Sequence, residues 1–306
     1  MRRILIKAIG LGLNLWGLLT PRLAANTMAK TFSKPPKYPL RPKVQDFLAM
    51  ARQIHHELAG QNIVEYHWGP TGAPLVLLSY GWGANAGRWR HYVPELIEAG
   101  YHVLAYDPPG HGLAPSGTLN IPPNSAIICA LLEYYGPAHA IVGHSFGGGS
   151  CVNALNNLPH NLHPRRMVLM GSFSFAMGIF QVYKKCLGIW SPLYRRMIRE
   201  FEKHNGNSID HYDFALMTAG FSHIEGLLAH DPSDPVTPYA ESCRYHTFWT
   251  GSYLYSPSEG GHHLGTAGIT RAILRFIQSG EVPAEAEREE QSLVAGHDLG
   301  LPLVGL

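Results

Sequence analysis

Residues 140–150 have the sequence AIVGHSFGGGS, and the segment 143–147 within it has the pattern Gly-x-Ser-x-Gly. The apolar run at 140–142 predicts a buried strand, and the glycines at 147–149 open a predicted helix. A serine on such a strand-to-helix turn is held on a strained backbone above the positive end of a helix dipole, which favours developing negative charge. The pattern therefore predicts Ser145 as a nucleophile rather than as an incidental residue of a glycine-rich turn.

Short apolar runs alternate with helical patterns along most of the chain. Strands are predicted at residues 62–68, 75–78, 101–106, 140–142, 167–170, 226–229 and 253–255. Helices are predicted at about residues 44–59, 88–99, 123–135, 147–158 and 266–278. This alternation indicates an α/β fold with a mostly parallel sheet that helices cover on both faces. The active sites of such sheets lie at the carboxyl ends of the strands, so the residues after each strand are the candidates for function.

A serine hydroxyl is a weak nucleophile at neutral pH, so it needs a histidine base that a carboxylate orients. His262 follows the last predicted strand and is the predicted base, with the adjacent His263 as the alternative. Asp234 is the predicted acid, because the Pro-Val pair after it forms a stiff turn that can fix the carboxylate. Asp231, three residues earlier, is expected to act as a turn or cap residue.

The fourth part of the predicted site is a pair of backbone amides that would hold an oxyanion. The strand at 75–78 leads into the segment YGWG at 80–83, whose glycines allow the loop to aim N–H groups at a substrate carbonyl oxygen. The amides of Trp82 and of Phe146, the residue after the nucleophile, are the predicted donors.

Over about residues 62–280 the chain resembles the α/β-hydrolase superfamily. The resemblance rests on the Ser, Asp, His order of the triad and on the segments at 80–83, 107–112, 143–147, 234–236 and 261–262. It implies an α/β-hydrolase fold with an inserted helical cap, and a serine hydrolase. The N-terminal helix followed by the Pro/Lys linker resembles a bacterial subgroup of esterase-like members, and this resemblance implies that the first helix stays attached. The superfamily usually has histidine where this chain has Tyr80, so the oxyanion loop is expected to be tuned differently. Asp107 resembles the superfamily's structural aspartate and has no predicted catalytic role.

Three parts are predicted along the chain: an N-terminal helical segment and linker at 1–61, the hydrolase domain at 62–280, and a flexible tail at 281–306. The linker itself is the stretch at 30–43, which is rich in Pro and Lys and is expected to be extended. No strand is predicted at about 175–220, so this insertion is expected to form the helical cap. Its apolar side chains are expected either to cover an acyl pocket or to form the core of the cap itself: Phe175, Met177, Ile179, Phe180, Ile189, Trp190 and Leu193.

The first twenty residues leave two alternatives open. Arg2, Arg3 and Lys7 accompany an apolar run at 8–19 that is too short to predict a membrane span. A helix that packs on the domain or lies on a membrane surface is the first expectation, so peripheral membrane contact is a candidate interaction. A cleaved signal peptide is the alternative. The predicted location is cytoplasmic, with membrane association or export as the alternatives.

Composition narrows the function classes further. The formal net charge is +2, with 24 basic and 22 acidic residues, which gives no reason to expect nucleic acid or an anionic surface as the main partner. The four cysteines lack the spacing of a zinc site and are Cys129, Cys151, Cys186 and Cys243. They are expected to be free thiols of a reducing compartment, and neither a metal nor a cofactor is predicted.

The predicted activity is hydrolysis of a small-molecule carboxylic ester through an acyl-enzyme on Ser145. The resemblance implies that a serine at this position excludes dehalogenases and epoxide hydrolases, whose nucleophile is an aspartate. Two alternatives stay open. One is an acyltransferase or a carbon–carbon hydrolase with the same triad, and the other is a non-catalytic binding module of the same fold.

Overall fold

A computed structural model describes residues 2–288 of the chain. The helices are α1 Arg2–Leu19, α2 Pro21–Phe32, α3 Pro42–Ala49, α4 Val93–Glu98, α5 Ile121–Tyr135, α6 Phe146–Asn157, α7 Ala176–Leu187, α8 Ser191–Asn205, α9 Phe214–Met217, α10 Ala240–Phe248 and α11 Ala267–Ser279. The strands are β1 Arg52–Leu58, β2 Gln61–Trp68, β3 Leu75–Ser79, β4 His102–Asp107, β5 Ala140–His144, β6 Arg166–Met170, β7 Glu225–Ala229, β8 Tyr253–Tyr255 and β9 Glu287–Arg288. Each of the seven predicted strands is present.

The strands of the described residues form one sheet in the order β1-β2-β4-β3-β5-β6-β7-β8-β9. The six strands from β4 to β8 run parallel, while β1, β2 and β9 are antiparallel additions at the edges. The predicted mostly parallel sheet is therefore confirmed. The carboxyl ends of β3, β5, β7 and β8 lie along one edge of this sheet, and the predicted site residues follow these strands.

Alternate residues of each central strand face two separate apolar cores. In β5, Ile141 lies in the core formed with α5 and α6, where Leu131 and Val152 are buried. Its neighbour Val142 lies in the core on the other face, where Leu96 of α4 and Ile273 of α11 are buried. Helices on both faces explain why the central strands are apolar throughout, as predicted from their sequence.

The helix predicted at 44–59 is wrong in its second half. α3 ends at Ala49, and β1 pairs antiparallel with β2. The two strands are joined by Ala59 and Gly60, whose φ angles of 50° and 70° are those of a tight two-residue hairpin turn. Because β1 is an edge strand with mostly polar, partly exposed side chains, its sequence lacks the clear alternation that reveals a strand.

Between β6 and β7 the chain leaves the sheet and forms α7, α8 and α9, which constitute the cap. The helix α1 packs against this cap through Asn14, whose side chain donates to the Gly188 carbonyl and accepts from the Trp190 amide, both at 2.9 Å. A Cβ on Gly10 would lie 1.7 Å from the Leu187 carbonyl oxygen, so the helix and the cap meet backbone to backbone. The N-terminal helix is therefore structurally an extension of the cap.

Apolar residues of the cap are buried in the same core that contains Ile141 of β5. The ring of Phe180 packs against Phe32 of α2 and Phe201 of α8, with centroid separations of 4.5 and 4.8 Å. Ile189 and Leu193 are buried in the same cluster. Of the two expectations for the cap side chains, burial in a core is the one observed for these residues, and this core extends beyond the cap to α2 and the sheet.

The boundaries of the remaining segments differ from those predicted. The stretch between α2 and α3 that lacks a helix or strand is 33–41, shorter than the linker predicted at 30–43. In the predicted tail, Glu287–Arg288 pair with β8 as β9, whereas residues 289–306 lie outside the described part of the chain. All four cysteines are free thiols. Within residues 2–288, no helix has the length and apolar character needed to cross a membrane.

Candidate active site

Ser145 lies on the sharp turn between β5 and α6. Its φ of 51° and ψ of −118° are unusual for a residue other than glycine, so its backbone is strained. The turn is held by two hydrogen bonds, from the Ser145 amide to the Met170 carbonyl at 2.9 Å and from the Ser172 hydroxyl to the Ser145 carbonyl at 3.1 Å. A Cβ on Gly147 would lie 2.4 Å from the carbonyl oxygen of Ser79, so the motif needs glycine there.

A continuous chain of hydrogen bonds joins Ser145, His262 and Asp234. Nε2 of His262 lies 3.1 Å from Oγ of Ser145, and Nδ1 of His262 lies 2.8 Å from Oδ2 of Asp234. Because a carboxylate only accepts hydrogen bonds, Nδ1 carries the proton, and Nε2 is left to accept the proton of the serine hydroxyl. This is the arrangement of a general base and its orienting carboxylate. Among the described residues, His263 takes no part in this hydrogen-bonded path.

The Asp234 carboxylate is fixed by the turn that follows it. Its side chain is 1% exposed, and Oδ1 accepts hydrogen bonds from the amides of Val236 and Thr237 at 2.7 and 3.1 Å. Nε2 of His230 lies 3.3 Å from Oδ2, and burial lowers the pKa of His230, which keeps this ring neutral. The stiff Pro-Val turn thus aims one carboxylate oxygen at His262.

Asp231 links its own loop, which follows β7, to the loop that carries His262. Its Oδ1 accepts from the amide and hydroxyl of Ser233, and its Oδ2 accepts from the Gly261 amide at 2.7 Å. Although burial alone would raise it, these hydrogen bonds lower the pKa of Asp231 below its ordinary value. Asp231 therefore holds the loop that carries His262, as a capping carboxylate would.

The predicted oxyanion donors lie on adjoining segments. The rings of Trp82 and Phe146 pack edge to face with centroids 5.1 Å apart. In the part of the chain that the structure describes, neither of their amides has an acceptor. A Cβ on Gly81 would lie 3.1 Å from Cβ of Ser145, so the loop approaches the nucleophile closely. Two unpaired N–H groups beside the nucleophile are what an oxyanion requires.

A buried carboxylate anchors the oxyanion loop. Asp107 accepts hydrogen bonds from the Tyr66 and Tyr80 hydroxyls at 2.7 and 2.6 Å, and from the Ala86 and Leu113 amides at 2.9 Å each. Burial, together with the charge of Asp107, raises the pKa of Tyr80 well above its ordinary value, so its hydroxyl stays a donor. Tyr80, which stands where the superfamily usually has histidine, thus links the start of the loop to the end of β4.

His144 is a positioning residue that the motif alone does not reveal, since any residue type is allowed at this place in Gly-x-Ser-x-Gly. Its Nε2 donates to the backbone carbonyl of His262 at 2.8 Å, while its buried Nδ1 has no partner among the described residues. Burial, with the charge of Arg88 nearby, lowers the pKa of His144 well below its ordinary value. The neutral ring therefore holds the backbone of the predicted base.

A cavity of about 1200 Å³ opens beside Ser145. Its wall comes from the linker and the first residues of α3 at 36–44, the oxyanion loop and following turn at 81–92, and the histidine loop at 262–265. Among the described residues, none from the cap at 175–220 lines it. The linker, predicted only as a connection, is therefore a wall of the site.

A separate histidine cluster lies at the opposite end of the sheet. His160 and His163 precede β6 and His223 precedes β7, whereas Ser145 follows β5. Their ring nitrogens lie within 4.8 Å of one another. The pair at 160 and 163 is visible in the sequence, but the third histidine is 60 residues away and is brought near only by the fold.

The model of the Alpha/beta hydrolase family matches residues 75–266, which is more than half of the chain. This chain is similar to Epoxide hydrolase A of Mycobacterium tuberculosis, with 40% identity over 91 residues, or 28% of each chain. It is also similar to the 2-hydroxy-6-oxononadienedioate/2-hydroxy-6-oxononatrienedioate hydrolase of Escherichia coli, with 29% identity over 141 residues, 43% of this chain and 48% of that one. The chain thus spans less than half the length of these relatives.

Two solved structures share the fold. One is an esterase from Exiguobacterium antarcticum, with a TM-score of 0.57, 17% identity, and coverage of 75% of this chain and 100% of that one. The other is the enol-lactonase from Burkholderia xenovorans, with a TM-score of 0.57, 15% identity, and coverage of 73% and 99%. At these identities the likeness confirms the predicted fold class and nothing finer.

Proposed function

This chain belongs to the alpha/beta hydrolase family, and from that premise we propose that it is a serine hydrolase that cleaves a carboxylic ester through an acyl-enzyme on Ser145. The observation that carries the proposal is the path from Ser145 Oγ through His262 to the buried Asp234, with distances of 3.1 and 2.8 Å. A nucleophile, a base and an orienting carboxylate in this geometry are the parts that acyl transfer needs.

In the first half of the reaction, Oγ of Ser145 attacks the ester carbonyl carbon while its proton moves to Nε2 of His262. The negative charge that forms on the carbonyl oxygen is stabilised by the amides of Trp82 and Phe146. The tetrahedral intermediate then breaks its bond to the leaving oxygen, which takes the proton from His262. The alcohol departs, and the acyl group stays on the serine.

In the second half, a water molecule replaces the alcohol. His262 accepts a proton from the water as the oxygen attacks the acyl carbon, and the same two amides stabilise the second intermediate. The bond to Oγ breaks, the proton returns to Ser145, and the carboxylic acid leaves. Asp234 stabilises the imidazolium in both halves without taking its proton.

The nucleophile favours an ester over an epoxide as the substrate. Although one similar protein is named an epoxide hydrolase, the superfamily resemblance implies an aspartate nucleophile for that chemistry, and this chain has Ser145. An acyltransferase or a carbon–carbon hydrolase would use the same triad with another acceptor or another scissile bond. These two activities are therefore the alternatives against which ester hydrolysis is tested.

The test is hydrolysis of 4-nitrophenyl esters of increasing acyl length by the wild type, Ser145→Ala and Ser279→Ala. Loss of the nucleophile is expected to lower kcat by about 10⁴–10⁶. Ser279→Ala, at the exposed end of α11, is expected to keep full activity. Labelling with a fluorophosphonate reports whether Ser145 is activated at all.

Each outcome has one meaning. Hydrolysis and labelling that both disappear in Ser145→Ala support the proposal. Labelling of the wild type without hydrolysis of any ester means that the triad serves another bond or acceptor, so the ester assignment is wrong. No hydrolysis and no labelling mean that the chain is a binding module of this fold.

A further inference from the structure

The charged side chains that line the cavity beside Ser145 are all positive: Lys37, Arg41, Lys43, Arg88 and Arg90. No aspartate or glutamate lies in this wall in the described part of the chain. The whole chain has 24 basic and 22 acidic residues, so the imbalance is a property of the cavity rather than of the composition. A concave wall of one sign concentrates ions of the opposite sign.

Arg88 connects the oxyanion side of this cavity with the loop that carries the predicted base. Its Nη2 donates to the backbone carbonyl of His263 at 2.7 Å. The side chain is half-buried, and burial lowers the pKa of its guanidinium to about 10. Arg88 therefore remains charged at neutral pH in the wall of the active-site cavity.

The guanidinium of Arg88 has no counter-ion within residues 2–288. No ion pair among the described residues involves it, and its buried Nε has no acceptor. In contrast, Arg166 meets Glu225 and Arg244 meets Asp213, each at 2.6 Å. Its guanidinium lies over the Trp89 ring, 5.4 Å from the centroid, and meets a backbone carbonyl, but neither contact neutralises its charge. A partly buried cation without a counter-ion is unfavourable for folding, so its presence in the same cavity as Ser145 favours an anion that arrives with the substrate.

We infer that Arg88 recognises a carboxylate on the acyl part of the substrate, so that the ester cleaved at Ser145 is a half-ester of a dicarboxylic acid. The inference rests on the proposed ester hydrolysis, because it names the substrate class of that same site. A guanidinium binds a carboxylate through charge-assisted, parallel N–H bonds, which also orient the acyl chain. The exposed Lys37, Arg41 and Lys43 at the linker attract the anion before it docks.

The inference is tested with two esters that differ in one charge. Mono-4-nitrophenyl adipate carries a free carboxylate, and methyl 4-nitrophenyl adipate has the same scissile bond without it. The wild type is expected to prefer the anionic ester in kcat/KM, mainly through a lower KM. Arg88→Gln is expected to reduce this preference about 10- to 100-fold, the range for loss of a charge-assisted hydrogen bond.

Arg90→Gln is the matched control, since Arg90 lines the same cavity but is exposed and, in the described part of the chain, donates only to the Gly87 carbonyl at 3.4 Å. It is expected to change the preference by less than about fivefold, as is typical of an exposed charge.

Because Arg88 also holds the His263 carbonyl, its loss can lower activity on both esters. An equal fall on the two esters, with an unchanged ratio, overturns the inference and leaves Arg88 a structural residue. A preference for butyryloxybenzoate, which carries the carboxylate on the alcohol part, overturns the acyl-side assignment.

Binding to the Ser145→Ala protein separates this inference from the proposed function. Monomethyl adipate is expected to bind more tightly than dimethyl adipate in calorimetry, and to lose this advantage when Arg88→Gln is added. Equal binding of the two compounds, or binding of neither, overturns the inference even if neutral esters are hydrolysed. Charge-dependent binding without hydrolysis of any ester overturns the ester assignment and leaves the anion site standing.

An independent observation concerns the histidine cluster at the other end of the sheet. Nε2 of the buried His163 donates to the Leu158 carbonyl at 3.1 Å, so its Nδ1 carries a lone pair. That Nδ1 lies 2.9 Å from Nε2 of His223, and the rings of His160 and His223 stack with centroids 4.5 Å apart. A histidine whose second nitrogen is held by a backbone carbonyl is the arrangement found at metal ligands.

We propose that His160, His163 and His223 form a zinc site with three imidazole ligands. Such nitrogens bind Zn²⁺ at about 2.0–2.1 Å and leave a fourth position for water. The site lies at the opposite end of the sheet from Ser145, so its effect is on stability rather than on hydrolysis.

Titration of the chelator-treated chain with Zn²⁺ in a calorimeter tests this site. One ion per chain and a higher Tm with zinc are expected for the wild type, and both are expected to be lost in His163→Ala. His223→Gln tests the site without disturbing a buried position, and His204→Ala, whose ring is bound to the Glu200 carbonyl of its own helix, is the control. Zinc binding that persists in His223→Gln, or that is absent from the wild type, overturns the proposal.

Discussion

The hydroxyl of Tyr80 allows a sharp test of how the oxyanion loop is held. Tyr80→Phe keeps the buried ring and deletes the donor that lies 2.6 Å from Oδ1 of Asp107. Asp107 is fully buried and keeps its bonds from Tyr66, Ala86 and Leu113. Loss of one hydrogen bond to a buried charged group is expected to lower the free energy of unfolding by about 1.5–3 kcal/mol.

Tyr66→Phe is the matched control, because Tyr66 donates to the other oxygen of the same carboxylate but lies in β2, outside the loop. Both variants are expected to lose similar stability in urea unfolding. Only Tyr80→Phe is expected to lower kcat on the best 4-nitrophenyl ester, because Tyr80 directly precedes Gly81 and Trp82. Complete loss of an oxyanion donor costs about 10²–10³ in kcat, so a displaced loop is expected to cost about tenfold. Equal kcat values in the two variants would refute this account of the loop.

Other predictions concern the triad, the two loops beside it and the N-terminal helix. Asp234→Asn is expected to lower kcat by about 10⁴ with little change in Tm, because the amide no longer fixes the His262 tautomer; a fall of less than tenfold contradicts the assignment. Gly147→Ala places a Cβ 2.4 Å from a backbone oxygen and is expected to lower the free energy of unfolding in urea by at least about 1–3 kcal/mol. At Gly149 the nearest atoms to an added Cβ are aromatic side-chain atoms at 3.3 Å, so Gly149→Ala should lower it far less. Because folding lowers the pKa of Asp231, this carboxylate stabilises the folded chain above its ordinary pKa of 3.8, and the stabilisation is lost as the pH falls through the lower pKa of the folded state. The destabilisation caused by Asp231→Asn should therefore shrink in acid. A difference in stability that is constant with pH argues against the loop-holding role. The exposed apolar face of α1 is expected to bind anionic vesicles. The double variant Leu5→Glu with Leu15→Glu should therefore reduce co-sedimentation with the vesicles, and the control Leu216→Glu on α9 should not. Equal co-sedimentation of all variants excludes the membrane contact.

The central fold could be predicted because its strands are buried on both faces. A strand such as β5 must be apolar throughout, and a short apolar run between helical patterns is visible in one sequence. The edge strand β1 carries His55, His56 and Glu57 on exposed or partly exposed positions, so no run or alternation marks it. β9 is two residues long, and its pairing with β8 depends on where α11 ends, which local sequence does not specify.

The hydrogen-bonded triad could be predicted because its members follow three strands whose ends must meet at one edge. Their supports could not, since each acts between segments far apart in the chain. His144 reaches the backbone of His262 across 118 residues, and Arg88 reaches His263 across 175. A side chain that holds a distant carbonyl has no preferred spacing from it, so neither periodicity nor a motif indicates the contact.

The linker shows why the substrate does not follow from the relatives. The family model matches residues 75–266, which include Ser145, Asp234, His262 and both predicted oxyanion donors. The wall formed by residues 36–44, with Lys37, Arg41 and Lys43, lies before that match. The predicted chemistry at Ser145 depends on residues inside the match at 75–266, whereas the positive charge that an incoming ester meets depends partly on residues 36–44 outside it. Exchanging the linker cations for neutral residues should therefore change KM for an anionic ester and leave kcat for a neutral ester unchanged. A change in kcat for the neutral ester would mean that the linker also positions the triad.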